Sequence, residues 1–149
     1  MIMRSLLLTA ALLAAPAGAT SLGLLPGEWQ FVGRIVKAEM PGASPAMTEM
    51  MMKRPQIMRT CITPEQAQRD PRSIFQNGKG HCQYKNFSMA GGRLALAMRC
   101  EGGMSMTSSG TYTPASYNML SVMVSTTPHG TMTMITDGAG KRLGPCPKK

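Results

Sequence analysis

Trp29, Phe31 and Ile35 fall on alternate positions of residues 28–36 and mark the buried side of a first strand. Gly33 interrupts that alternation, as a bulge or a close approach of another segment would. The Pro- and Gly-rich residues 41–45 then force a turn. A helix beginning near Thr48 is stopped by Pro55, which lacks an amide hydrogen and collides with the preceding turn. Residues 56–62 suit a second strand, with Cys61 near its end. At Thr63-Pro64-Glu65-Gln66 the hydroxyl caps free backbone donors, proline fits the first helical position and Gln66 completes a capping box, predicting a short helix over 64–69. Asp70-Pro71-Arg72-Ser73 starts another turn before Ile74-Phe75, and the charged residues around it read as a surface excursion.

The clearest β pattern is a hairpin, residues 82–88 returning through Gly91-Gly92 as residues 93–100. Tyr84 shares parity with Cys82, and Leu94, Leu96 and Met98 share it with Cys100, so both cysteines face one apolar side. A turn centred on Gly91 would set Cys82 opposite Cys100. Gly-rich turns at 101–103 and 108–110 separate further short segments, Met104-Ser105-Met106 and Thr111-Tyr112-Thr113. Alternation resumes through Met119, Ser121 and Met123, and again from Thr131 to Thr136. Residues 137–146 read as turn-rich and tied back by Cys146. These spacings predict a mainly β fold, a small antiparallel meander forming a barrel, half-barrel or sandwich, with one or two short helical turns and two disulfides.

Composition adds a compartment to this fold. Arg4, the apolar residues 5–15 and the small residues Ala17-Gly18-Ala19 have the order of a secretory signal cleaved after Ala19. That apolar run is shorter than the roughly 20 residues a helix needs to cross a bilayer, so no transmembrane span is expected after cleavage. The expected organisation is a signal peptide over 1–19 and one domain over 20–149, in the periplasm or secreted. All four cysteines, Cys61, Cys82, Cys100 and Cys146, lie in the second part, and no Cys-x-x-Cys pair occurs. In an oxidising compartment that count reads as two disulfides rather than a zinc site or a thiol-exchange centre.

The formal net charge is +9, and +8 once Arg4 is removed with the signal. Such a field favours anionic lipid heads, lipopolysaccharide or acidic polymers, while scattered bases also serve solubility. Nucleic acid is an unlikely partner, because the bases form no dense helix and do not alternate with stacking aromatics.

The chain resembles the bacterial family catalogued as domain of unknown function 3617. The resemblance runs through Pro26-Gly27-Glu28-Trp29, the Met-rich region after Met40-Pro41-Gly42, Cys61-Ile62-Thr63-Pro64-Glu65, and Gly80-His81-Cys82 with the strands to Cys100. It ends at Gly140-Lys141-Arg142-Leu143-Gly144-Pro145-Cys146. Members often carry Asp before the second and last cysteines, where this chain has His81 and Pro145. The resemblance implies export and the overall pattern; it implies no activity and no catalytic set.

Methionine is the unusual residue, with 16 in the chain and 14 without Met1 and Met3. A thioether is a neutral, soft ligand suited to Cu(I) or Ag(I), and it is also a flexible filler of irregular cores. Paired methionines one residue apart, Met104/Met106 and Met132/Met134, suit one face of a strand. The Pro-flanked Met47, Met50, Met51 and Met52 fit a core stripe less easily and are the candidate soft-metal ligands, with His81 or His129 as added nitrogen donors.

The leading expectation is a non-catalytic binding or envelope-maintenance module for a lipid, another apolar small molecule or an envelope protein. Its candidate lining is Trp29, Phe31, Tyr84, Leu94, Leu96 and Met98, each of which reads first as a packed-core residue. An enzyme ranks lower: the chain has no Gly-x-Ser-x-Gly elbow, no His-Glu-x-x-His signature and no marked pair of carboxylates, and no cofactor is expected. Oligomeric state is not encoded in any of these patterns.

Three disulfide pairings are open. The hairpin favours Cys82 with Cys100, leaving Cys61 for Cys146. The preferred expectation is Cys61 with Cys82 and Cys100 with Cys146, which would restrain loops that lack core, whereas a hairpin is already held by strand pairing.

Overall fold

The computed structural model describes residues 23–76 and 81–148. The expected signal peptide over 1–19 lies outside the described residues. Among these, seven strands form one antiparallel sheet: β1 (Gly27–Glu39), β2 (Gln56–Ile62), β3 (Cys82–Ala90), β4 (Arg93–Cys100), β5 (Met104–Thr113), β6 (Ser116–Thr127) and β7 (Gly130–Gly144). Their spatial order is β2-β1-β7-β6-β5-β4-β3, so β2 and β3 are the two edges and the sheet is open. The fold expectation therefore holds in its half-barrel form. Between β1 and β2 lies α1 (Pro45–Lys53); between the two edge strands lie α2 (Pro64–Gln68) and a 3-10 turn, Pro71–Phe75.

One apolar core spans the sheet. Trp29 of β1 and Leu94 of β4 are each 1% exposed and belong to one apolar cluster, although β7, β6 and β5 lie between them. Tyr117 of β6 and Ile74 and Phe75 of the connection between the edges belong to the same cluster, so the core is continuous across the inner face.

Glycine makes room on the inner face where rings lie on the backbone. A Cβ on Gly140 would enter the Tyr117 ring, and one on Gly138 would stand 2.7 Å from the Phe31 ring. Tyr117 stacks between Trp29 and Phe31 at centroid distances of 5.8 and 6.4 Å, with Phe75 edge-on at 5.5 Å. The Gly-rich residues 137–144 are therefore not the turn region expected from composition; they complete the fifteen-residue β7. Likewise Ser108-Ser109-Gly110 continues β5, because Gly110 lets the Asn118 carbonyl of β6 pass where a Cβ would stand. The turn at 101–103 is as expected, with positive φ at Gly102 and Gly103.

Gly33 does not mark a bulge. The register of β1 against β7 shifts between Ile35 and Lys37, leaving Val36 as the extra residue, while Gly33 admits the Phe31 ring. A second shift leaves Leu143 unpaired on β7. Val36 and Leu143 are both exposed, as residues turned out of the ladder should be.

The capping box at Thr63 is present in both directions: Thr63 N–H donates to Gln66 Oε1 at 3.0 Å, and Gln66 N–H donates to Thr63 Oγ1 at 3.2 Å. The segment beyond α2 is not a surface excursion. Ile74 and Phe75 are buried in the main cluster, so the connection between the edge strands covers part of the inner face. In α1, the Ser44 hydroxyl accepts from Met47 N–H and Pro45 occupies the first turn.

The preferred disulfide pairing is corrected. The bonds are Cys61–Cys146 and Cys82–Cys100, the arrangement the hairpin favoured. Glu28 pairs with Cys61 on β2 and with Gly144 on β7, so the start of β1 brings Cys61 close to the chain just beyond β7. In the hairpin the turn pairs Ala90 with Arg93, and a bulge at Lys85 then sets Cys82 opposite Cys100. The connection between the edges needs no clip, because Ile74 and Phe75 anchor it with core of their own.

Candidate functional site

The strand registers resolve the inner face into rows that run across the sheet. One reads Met89-Leu94-Gly110-Met119-Gly138-Gly33, and the next Phe87-Leu96-Ser108-Ser121-Thr136-Ile35. The row after that is Tyr84-Met98-Met106-Met123-Met134-Ala38, from β3 to β1. Four consecutive strands thus place a methionine at one level of one face. Ser108 and Ser121 share a hydrogen bond at 2.7 Å, which satisfies the buried Ser108 hydroxyl at the boundary between core and methionine row.

The two sides of that boundary differ. On one side the rings of Trp29, Phe31, Tyr117 and Phe75 pack with Leu94 and Leu96. Trp29 Nε1–H donates to the Leu25 carbonyl at 2.9 Å, so the indole is buried without an orphan donor. On the other side Met98 is buried, whereas Met106, Met123 and Met134 are half-buried.

A cavity of about 80 Å³ opens where the packed side meets edge strand β2, lined by Phe31, Met58, Ile74, Phe75, Leu96, Met106, Ser108, Tyr117 and Met119. Of the six expected lining residues, it gathers Phe31 and Leu96. Trp29, Leu94 and Met98 are buried in the core, and Tyr84 packs beside it. The Tyr84 hydroxyl donates to the Arg72 carbonyl at 2.7 Å and so ties β3 to the 3-10 turn. Met58, Ile74 and Phe75 were missed. Met58 faces inward opposite Phe31, but β2 is so exposed that its sequence shows no strong alternation.

Burial raises the Tyr84 hydroxyl to about 12, with Asp70 adding to the effect and Arg72 opposing it. Burial alone lifts Tyr117 to about 12. Neither phenol ionises near neutral pH, so neither supplies a base or an anionic ligand there. The carboxylates Glu39, Glu49 and Glu65 stand in exposed ion pairs with Lys37, Lys53 and Arg69, and Glu28 faces Arg59 at 3.8 Å. Among the described residues no group of three or more His, Cys, Asp and Glu side chains is gathered.

The expected metal candidates Met47, Met50, Met51 and Met52 all lie on α1. Met47, Met50 and Met51 share a helix face by spacing, and Met47 and Met50 are 52% and 53% exposed. A wider recess of about 490 Å³ beside Cys82–Cys100 is lined by exposed His81, Lys85, Arg99 and Glu101. No described helix is long and apolar enough to cross a membrane.

An open, seven-stranded antiparallel sheet stapled by two disulfides is thus the class of domain. The chain belongs to the family described as protein of unknown function DUF3617, whose model matches residues 24–146. No curated protein and no solved structure matches it.

Proposed function

We propose that this protein is an exported, non-catalytic binding module of the cell envelope, whose inner face takes the apolar end of a lipid or of another envelope component. The observation that carries this reading is the apolar cavity at the open edge, bounded by Met58 on β2 and by Phe75 on the connection between the edges. Its volume of about 80 Å³ is well below the roughly 300 Å³ at the lower end of pockets that enclose a small ligand. The fitting occupant is therefore a chain terminus or a single side chain inserted into the cleft, with the rest of the partner outside. Flexible thioethers at Met58, Met106 and Met119 adjust to such an occupant at low cost.

Native mass spectrometry of the gently purified, oxidised protein tests this reading, together with titration by a neutral apolar dye. A bound apolar species and saturable dye binding are expected, and Met58→Glu should abolish both while leaving the fold intact. A protein that carries no apolar species, binds no dye and keeps the same behaviour after Met58→Glu has no such function. Export is tested separately by fractionation and by the mass of the mature chain, expected to start at Thr20.

A further inference from the structure

We infer that Met106, Met123 and Met134 form a soft-metal site for Cu(I), which meets the apolar cleft at Met106 and is distinct from the methionines of α1. Met106 is the register partner of Met123, and Met123 that of Met134, so β5, β6 and β7 present three thioethers at one level of one face. Neighbouring strands are about 4.8 Å apart, and the methionine side chain is long and unbranched, so sulfurs on adjacent strands can reach a common ion.

The surroundings select the kind of ion. The flanking positions of this face on β5, β6 and β7 are Ser108, Ser121 and Thr136 on one side and Met104, Ser125 and Met132 on the other. None is ionised. A hard divalent cation requires several oxygen ligands, usually with carboxylates among them, and this set offers only neutral hydroxyls and no carboxylate. A monovalent soft cation is matched by neutral thioethers, which remain ligands across the whole pH range because they have no proton to lose. Half-burial leaves the three residues open to an incoming ion, whereas Met98, the next in the row, is locked in the core. Nothing in the site changes oxidation state on binding.

The test is a competition titration of the oxidised protein with Cu(I) against a chromogenic chelator, repeated with redox-inert Ag(I). One bound ion per chain is expected. Replacing Met106, Met123 and Met134 together by Leu conserves volume and should weaken binding by about 100-fold or more. Circular dichroism should show the fold unchanged. A second variant, Met47→Leu with Met50→Leu and Met51→Leu, should bind as the parent does. Absence of binding by the parent overturns the proposal, as does loss of binding in the α1 variant alone or undiminished binding in the row variant.

Discussion

The packed and the methionine-lined parts of the inner face share one backbone and one alternation, but they end differently. Around Trp29 and Tyr117 the connection between the edge strands comes down as a cover, with Ile74 and Phe75 inserted among the rings. Around Met123 and Met134 the side chains stay half-buried. Each part also has its staple: Cys61–Cys146 lies beside the start of β1, and Cys82–Cys100 lies next to the Tyr84–Met98 pair that begins the methionine row. The difference shows that a single sheet can carry a sealed core and a half-buried surface on one face when, among the described residues, the connection between its edges inserts Ile74 and Phe75 among the rings.

Removing the staples separates the two parts most strongly. Cys61→Ser with Cys146→Ser opens a separation of 85 residues and should cost about 4.6 kcal/mol in the ideal loop-entropy model, against about 3.2 kcal/mol for the 18 residues of Cys82–Cys100. Denaturant unfolding measures both, and equal losses would contradict the ranking. Trp29→Ala should cost about 3–5 kcal/mol, since it empties the most buried large side chain of the core. The same assay reads Gly140→Ala, expected to lose about 1–3 kcal/mol because the added methyl displaces the Tyr117 ring.

Titration bears on both parts, through Tyr117 in the covered one and Tyr84 at the end of the methionine row. The folded values near 12 for Tyr84 and Tyr117 exceed the ordinary value of 10, so folding retains protons that the unfolded chain gives up. This contribution to stability is fully present below about pH 10 and is lost as pH rises toward 12. Stability followed by denaturant unfolding across that range should fall as pH rises, and Tyr117→Phe should reduce the slope. The smallest effect belongs to the methionine row, where Met123→Leu or Met134→Leu should change stability by less than about 1.5 kcal/mol.

Much of the sheet is legible in local pattern. The parity of Trp29 and Phe31, the facing of Cys82 and Cys100, and the capping box at Thr63 each depend on residues close in sequence. What local pattern lacks is register across strands. The methionine row exists because hairpin registers align β4 to β7, and the bulges at Lys85 and Val36 set Tyr84 and Ala38 at its two ends. The Gly-rich residues of β7 look like turns because their reason, the rings of Phe31 and Tyr117, is far away in sequence. Ile74 and Phe75 are hidden for a similar reason: two apolar residues in a charged segment carry no period, and their burial comes from crossing the open face.

The most direct measurement of the division between covered and open parts is methionine-methyl NMR in the presence of a soluble neutral nitroxide. The expected result is strong relaxation of the Met123 and Met134 methyls, approaching that of the exposed Met47 and Met50 on α1, with the Met98 methyl protected. Equal protection of Met98, Met123 and Met134 would mean that the whole face is sealed and would contradict the account.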